Sequence, residues 1–271
     1  MDTYTFNVIG KVRCDEQYKF EAPRQGVFSS ASAFIELESC YGGDATADLA
    51  GFERIWVVFV FHRNLDAQWK ARVAPPCAPE KRKYSVFATR SPYRPNPVGI
   101  SCVKLERIDG RRLYISSHDL LDGTPVLDIK PYIPCADAFP EAAAGWRDEL
   151  ALPEWKVAYE EKFLQQAEFL RVHGAPDMVN FCDVQLVRDP LNKKRRRVTV
   201  LGENDGAVGC RTWRLHFKFD AETYHITMTE IRSNYRAEEL AQGCEDRYSD
   251  KELHREFRRQ FEESFVSEKG R

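Results

Sequence analysis

The sequence predicts a mainly β protein: a β-rich first half, then a smaller α+β unit and a terminal helix. Three observations carry this prediction. Apolar residues alternate with period two near the start, a β-branched and aromatic run fills positions 55–61, and two apolar runs flank the dipeptide Asp109-Gly110.

The elements follow in order. Tyr4, Phe6, Val8, Val12 and Cys14 alternate with Thr5, Asn7, Lys11 and Arg13, which puts the apolar set on one face of a half-buried strand. The run 55–61 is too short for a typical helix and reads as a strand covered on both faces, ending at His62. Residues 100–108 and 113–117 enclose Asp109-Gly110, a dipeptide suited to tight hairpin turns whose twist matches paired strands. Short strands divided by turn signals fit either a barrel or a sandwich. From Pro134 to Gly145 small residues and prolines mark a linker. Pro153 stands where helices begin, and Tyr159, Phe163, Leu164, Ala167 and Leu170 recur at three- and four-residue steps before Gly174, predicting an amphipathic helix. Segments 178–187, 198–201, 212–219 and 225–231 read as strands of a second α+β unit. Beyond Tyr248, Leu253, Phe257, Phe261 and Phe265 at four-residue steps predict a terminal helix whose stripe is a packing face.

Composition narrows the class. Hydrophobic residues at 43% and charged residues at 30% describe a globular chain rather than a disordered or membrane one. The formal net charge of −2 provides no global positive field, so contact with nucleic acid has to come from local basic patches. The eight cysteines are scattered, without CxxC or a Cys/His cluster at metal-ligand spacing, which argues against a zinc site and leaves no metal expected. There is no apolar signal-peptide core and no run of membrane-spanning length, so the cysteines read as reduced, mostly buried thiols of a cytoplasmic protein.

The richest segment is 87–99, Phe-Ala-Thr-Arg-Ser-Pro-Tyr-Arg-Pro-Asn-Pro-Val-Gly. Each proline fixes its own φ and pushes the preceding residue toward extended geometry, which holds Ser91, Arg94 and Asn96 away from helix. A stiff backbone lowers the entropic cost of presenting Arg90, Arg94 and Asn96 to a ligand. The competing reading is a proline-rich corner with solvated arginines. No glycine-rich strand-to-helix turn occurs, and strands do not alternate with helices in the first half, which excludes a doubly wound nucleotide-binding sheet.

Together with Pro23-Arg24-Gln25, the strand end Phe59-Val60-Phe61-His62 and the stretch 119–132 (Asp-Leu-Leu-Asp-Gly-Thr-Pro-Val-Leu-Asp-Ile-Lys-Pro-Tyr), this loop resembles the TsaA-like family, that of the TrmO-type tRNA methyltransferases. The resemblance spans about residues 4–135 and implies a small single-sheet β-barrel there. A linker at 136–152, a small α+β domain at 153–235 and a charged helical tail at 236–271 would complete the chain. It further implies that the barrel mouth binds S-adenosylmethionine. The implied contacts are Pro23, Arg24, Gln25, His62, Arg63, Arg90, Ser91, Ile100, Leu120, Leu121, Asp122 and Gly123. The chemistry of these residues is compatible: Arg90 or Arg24 can meet a carboxylate, Asp122 or nearby carbonyls can accept from an ammonium or ribose, and Gly123 admits close backbone approach.

The reaction the family implies is methyl transfer to N6 of a threonylcarbamoyl-modified adenosine beside the tRNA anticodon, by a homodimer. The weak acceptor nitrogen would gain from a proton acceptor, and Asp122 or Asp128 are the candidates. An Asp128–Lys130 surface pair is the alternative for the latter. RNA contact is expected from Arg94 and Asn96, from Lys81, Arg82 and Lys83 before the loop, and from the run Lys193, Lys194, Arg195, Arg196 and Arg197, although such runs are commonly solvated turns. A non-catalytic sensor of S-adenosylmethionine or a nucleotide, built on the same barrel, is the alternative function.

Overall fold

The computed structural model describes residues 2–23, 25–75, 78, 82–150, 153–187, 190–191 and 197–262. Two compact units divide the chain, Met1–Ala151 and Leu152–Arg271.

In the first unit, β1 (Gly10–Arg13), β2 (Ser32–Leu37), β3 (Arg54–Val60), a short β4 (Arg72–Val73) and β5 (Tyr84–Ser85) hairpin, β6 (Val98–Asp109), β7 (Arg112–Ser116) and β8 (Pro125–Pro131) follow in sequence. Six of them close a barrel in the order β1-β2-β7-β6-β3-β8, every neighbouring pair antiparallel. Closure removes the unpaired edges that an open sheet would expose. Val12, Ile35, Ile55, Val57, Val103, Leu113, Ile115 and Val126 point inward and form the core. Gly110, at φ +56, makes the β6–β7 turn that Asp109-Gly110 predicts. Residues between β8 and the second unit lie against the first: Trp56 Nε1 donates to Asp137 Oδ2 at 3.0 Å, Trp146 Nε1 to Ala88 O at 2.8 Å, and Trp146 stacks on Tyr84.

Several local expectations are corrected. The first strand is only Gly10–Arg13, and Tyr4 and Phe6 are 79% and 73% exposed. Alternation makes a strand only where a ladder exists, and β2 and β8 pair β1 solely over that span. β3 is covered on one face rather than two, with Ile55, Val57 and Phe59 buried and Trp56, Val58 and Val60 half-buried outside. Among the described cysteines only Cys182 and Cys210 are buried, because Cys40, Cys135 and Cys244 fall in surface turns; all seven described are free thiols.

The second unit comprises β9 (Lys156–Tyr159), α2 (Glu161–Val172), α3 (Met178–Leu186), β10 (Val198–Val200), β11 (Asp205–Cys210), β12 (Trp213–Asp220), β13 (His225–Ser233) and α4 (Lys251–Phe261), after a four-residue helical turn, α1 (Pro134–Asp137), in the first. Its sheet runs β10-β11-β12-β13-β9. Pro153 leads into a strand instead of a helix, and the helix starts at Glu161. Segment 178–187, which reads as a strand, is the helix α3. Met178, Phe181, Cys182 and Leu186 bury at helical spacing, and Asp177 caps the end by accepting from the Asn180 N–H at 2.9 Å. Strand β11 escapes sequence recognition because Gly206 and Gly209 lower β propensity. At Gly206 a Cβ would stand 2.5 Å from the Phe217 ring, so the ring occupies the place of a side chain. The predicted terminal helix is α4, whose Phe257 is buried against Trp213 and Phe169. Phe265 lies outside the described residues. Asp177→Ala should lower the unfolding free energy of this unit by about 1 kcal/mol, read from urea melts with an unchanged slope.

No helix among the described residues is long and apolar enough to cross a membrane.

Candidate functional site at one end of the barrel

Antiparallel order dictates where the loops go. β1, β7 and β3 end, and β2, β6 and β8 begin, at the same rim of the barrel. Segments 14–31, 61–97 and 117–124 therefore crowd one mouth. Pro23, Gln25, His62, Arg63, Arg90, Ser91, Leu120, Leu121, Asp122 and Gly123 all belong to these segments, and Ile100 stands two residues into β6, 55% exposed. Residues as far apart in sequence as Gln25 and Arg90 are brought into contact.

The proline-rich loop is fixed by its own hydrogen bonds. Arg94 turns back, donating through one terminal nitrogen to the carbonyls of Thr89 at 2.8 Å and Val86 at 3.2 Å, with its guanidinium 5.7 Å from the Phe87 ring centroid. Ser91 Oγ accepts from Tyr93 N at 3.3 Å, and Thr89 Oγ1 from Ser91 N at 3.3 Å. The Phe61 N–H donates to Pro97 O at 2.8 Å, which ties the end of β3 to the start of β6. Arg94 thus stiffens the loop, whereas Asn96 is exposed.

Arg90 projects from this frame and donates to Gln25 Oε1 at 2.5 Å. Behind it Asp119, partly buried, accepts a short hydrogen bond from Ser101 Oγ. Burial pushes the Asp119 carboxyl up from its ordinary range, while Ser101 and the Arg90 charge pull the other way. The mouth therefore holds a cation, an amide and a carboxylate, and the chain at the same rim exposes Phe87 and Ile100, at 75% and 55%.

The Asp122 turn is fastened to the extension of β1. Asp122 N donates to Glu16 O at 2.8 Å, Gly123 N to Val12 O at 2.9 Å, and Asp122 Oδ1 accepts from Cys14 N at 3.3 Å. Gly123 takes φ +74, which is strained for any residue with a Cβ. His62 lies close enough to Asp122 for its carboxylate to favour the imidazolium. Burial and the neighbouring Arg63 outweigh that, holding the His62 pKa below the ordinary histidine value.

Asp128 does not join this group. The β3–β8 register slips between Val58 and Phe59, so that Val58 faces Asp128 and Phe59 faces Val126, leaving Leu127 as the extra residue. A bulge reverses the inside–outside alternation. Val126 points into the core, whereas Asp128 points out and forms the surface pair with Lys130, at 2.7 Å, that the sequence offers as its alternative role. Arg82 forms an exposed ion pair with Glu149 at 3.6 Å and lies over the Tyr84 ring, and Lys83 is exposed through its side chain while its carbonyl accepts from Arg72. Arg197 belongs to the second unit, where its carbonyl accepts from Gly209 N. Arg24, Lys81, Lys193, Lys194, Arg195 and Arg196 lie outside the described residues.

Sequence patterns do not single out Ser101, Glu16 or His118, and read Cys14 only as part of an apolar strand face; all four stand at the same rim. Only the cross-strand register brings them there.

A closed antiparallel barrel with a polar crown of this composition defines a class. Residues 11–138 match the tRNA-methyltransferase O N-terminal domain. The chain is 36% identical over 202 residues to a tRNA (adenine(37)-N6)-methyltransferase of Escherichia coli, covering 72% of this chain and 86% of that protein. It therefore belongs to the tRNA-methyltransferase O family, the family its motifs resemble. A human tRNA (adenine(37)-N6)-methyltransferase is 49% identical over 115 residues, 41% of this chain and 26% of the human protein. The crystal structure of TrmO from Pseudomonas aeruginosa aligns with TM-score 0.63 at 30% identity, covering 86% of this chain and 99% of that one.

Proposed function

We propose that this chain is an S-adenosylmethionine-dependent tRNA methyltransferase that methylates N6 of adenine 37, the threonylcarbamoyl-modified adenosine next to the anticodon. The observation that carries the reading is the convergence of Gln25, His62, Arg90, Asp119 and Asp122 on one rim. These residues suit the donor: Arg90 for its carboxylate, Asp119 or Asp122 for its ammonium or ribose hydroxyls, and Phe87 and Ile100 as apolar surface for the adenine. When bound, S-adenosylmethionine supplies an electrophilic methyl group whose leaving group is a neutral thioether.

The protein's own contribution is alignment and proton removal. Hydrogen bonds within 86–97 keep the Arg90 backbone in place before any ligand arrives, so little ordering entropy is lost on binding. Asp122 is the proton acceptor for N6, held by Cys14 N–H and by its own N–H to Glu16. Asp128, turned outward and paired with Lys130, is left out of that role. A base in the anticodon loop can splay from its stack into such a mouth.

The dimer belongs to the same proposal. Val27 and Val98 are also exposed on the barrel unit, apart from the Phe87 and Ile100 faces assigned to the adenine. A cytoplasmic location fits a tRNA substrate. Residues 4–135 hold the donor in this scheme, and the second unit, with the basic run 193–197, grips phosphate.

Incubating the protein with S-adenosylmethionine and tRNA, with or without the threonylcarbamoyl group, tests the reaction. S-adenosylhomocysteine should accumulate only with the modified tRNA. Binding of the donor with no RNA-dependent turnover would favour the sensor alternative. Neutralising positions 193–197 should leave donor affinity unchanged and flatten the slope of log K for tRNA against log salt, by up to about one unit for each phosphate that the protein no longer neutralises.

A further inference from the structure

Beside the donor rim lies a cluster that the reaction above does not use. Cys14 Sγ, a Glu16 carboxylate oxygen and a His118 ring nitrogen lie within 4.8 Å of one another. His118 is fully buried and Glu16 is 9% exposed. Their facing atoms, His118 Nε2 and Glu16 Oε2, are 3.8 Å apart, too far for a hydrogen bond, and neither atom has a hydrogen-bond partner among the described residues. Buried polar atoms left unmatched are costly and rare.

We infer that Cys14, Glu16 and His118 form a binding site for a zinc-class divalent cation that braces the rim of the barrel. Thiolate, carboxylate and neutral imidazole are the donor types that zinc takes, at bond lengths of about 2.0–2.3 Å, so tetrahedral ligands stand roughly 3–4 Å apart. Closing the cluster from its present spread requires movements of about 1 Å. The cation gives both orphaned atoms a partner. Binding displaces the Cys14 thiol proton to solvent. At His118, Nδ1 accepts from Leu120 N at 3.3 Å, which places the ring proton on Nε2. Ligation at Nε2 moves that proton to Nδ1, which then gives up the hydrogen bond from Leu120 N and turns to another acceptor.

The consequence is mechanical. Residues 14–16 and 118–122 already share the Asp122 N to Glu16 O and Cys14 N to Asp122 Oδ1 hydrogen bonds. A cation held from both segments fixes the base of the Asp122 turn. It needs no contact with the methyl donor, so the site stands independently of the proposed reaction.

The test uses the full-length protein, kept reduced and stripped with a chelator, then titrated with zinc(II) and separately with cobalt(II). One equivalent of zinc should survive gel filtration, and its removal should lower the melting temperature by several degrees, reversibly. Cobalt should give a thiolate-to-metal charge-transfer band that disappears in Cys14→Ser, while Glu16→Gln and His118→Gln should weaken binding at least about 100-fold. If Cys14→Ser does not fold, the stoichiometry and charge-transfer band of the unaltered protein decide. Substoichiometric zinc, no charge-transfer band, or a band that persists in Cys14→Ser would overturn the assignment.

Discussion

Asp122→Asn should reduce kcat by about 100- to 10,000-fold, the range expected when a positioned proton acceptor is removed, while changing the affinity for S-adenosylmethionine by less than about tenfold. Asparagine keeps an oxygen that can accept from Cys14 N–H, so the turn at Gly123 and its bonds to Val12 and Glu16 should persist. What it lacks is the capacity to take a proton. Single-turnover methyl transfer to modified tRNA, set beside a calorimetric titration of the donor, separates the two effects. The paired control is Asp128→Asn, which removes an exposed partner of Lys130 on the outside of the barrel. Surface ion pairs of this kind contribute about 0–1 kcal/mol, so this variant should turn over within a few fold of the parent. Inactivation by Asp128→Asn, with Asp122→Asn active, would reverse the assignment.

Arg90→Ala should weaken donor binding by roughly 10- to 100-fold, the equivalent of a charge-assisted hydrogen bond of about 1.5–3 kcal/mol. Arg90 is exposed, bonded at its tip to Gln25, and carried on a loop stiffened by Arg94, so its removal should leave the fold intact. Arg90→Lys should recover part of the affinity, since a lysine keeps the charge without the planar fork that meets a carboxylate in two places. An Arg90→Ala protein that binds S-adenosylmethionine normally would remove this residue from the site.

Much of this architecture is legible in the linear order of residues. Period-two patterning and Asp109-Gly110 announce paired strands, three prolines announce a rigid loop, and the motifs around Arg90 and Asp122 announce the family. What stays hidden depends on partners distant in sequence. The outward turn of Asp128 is decided by one extra residue at Leu127, a register fact that no local pattern encodes. The strand-like composition of 178–187 yields to an Asp177 cap and a buried face at helical spacing. Short-range metal spacing is missing from the sequence and argues against zinc, yet barrel closure brings Cys14, just after β1, and His118, in the connection from β7 to β8, to within roughly the reach of a single ion. Tyr4 and Phe6 make the converse point, because good alternation without a neighbouring ladder produces no strand.

A crystal structure of the protein with S-adenosylhomocysteine tests the central claim most directly. The account predicts the ligand at the rim, its carboxylate on Arg90 and its ribose or ammonium near Asp119 to Gly123. Ligand density anywhere else on the chain, with the Arg90–Gln25 hydrogen bond undisturbed, would contradict it.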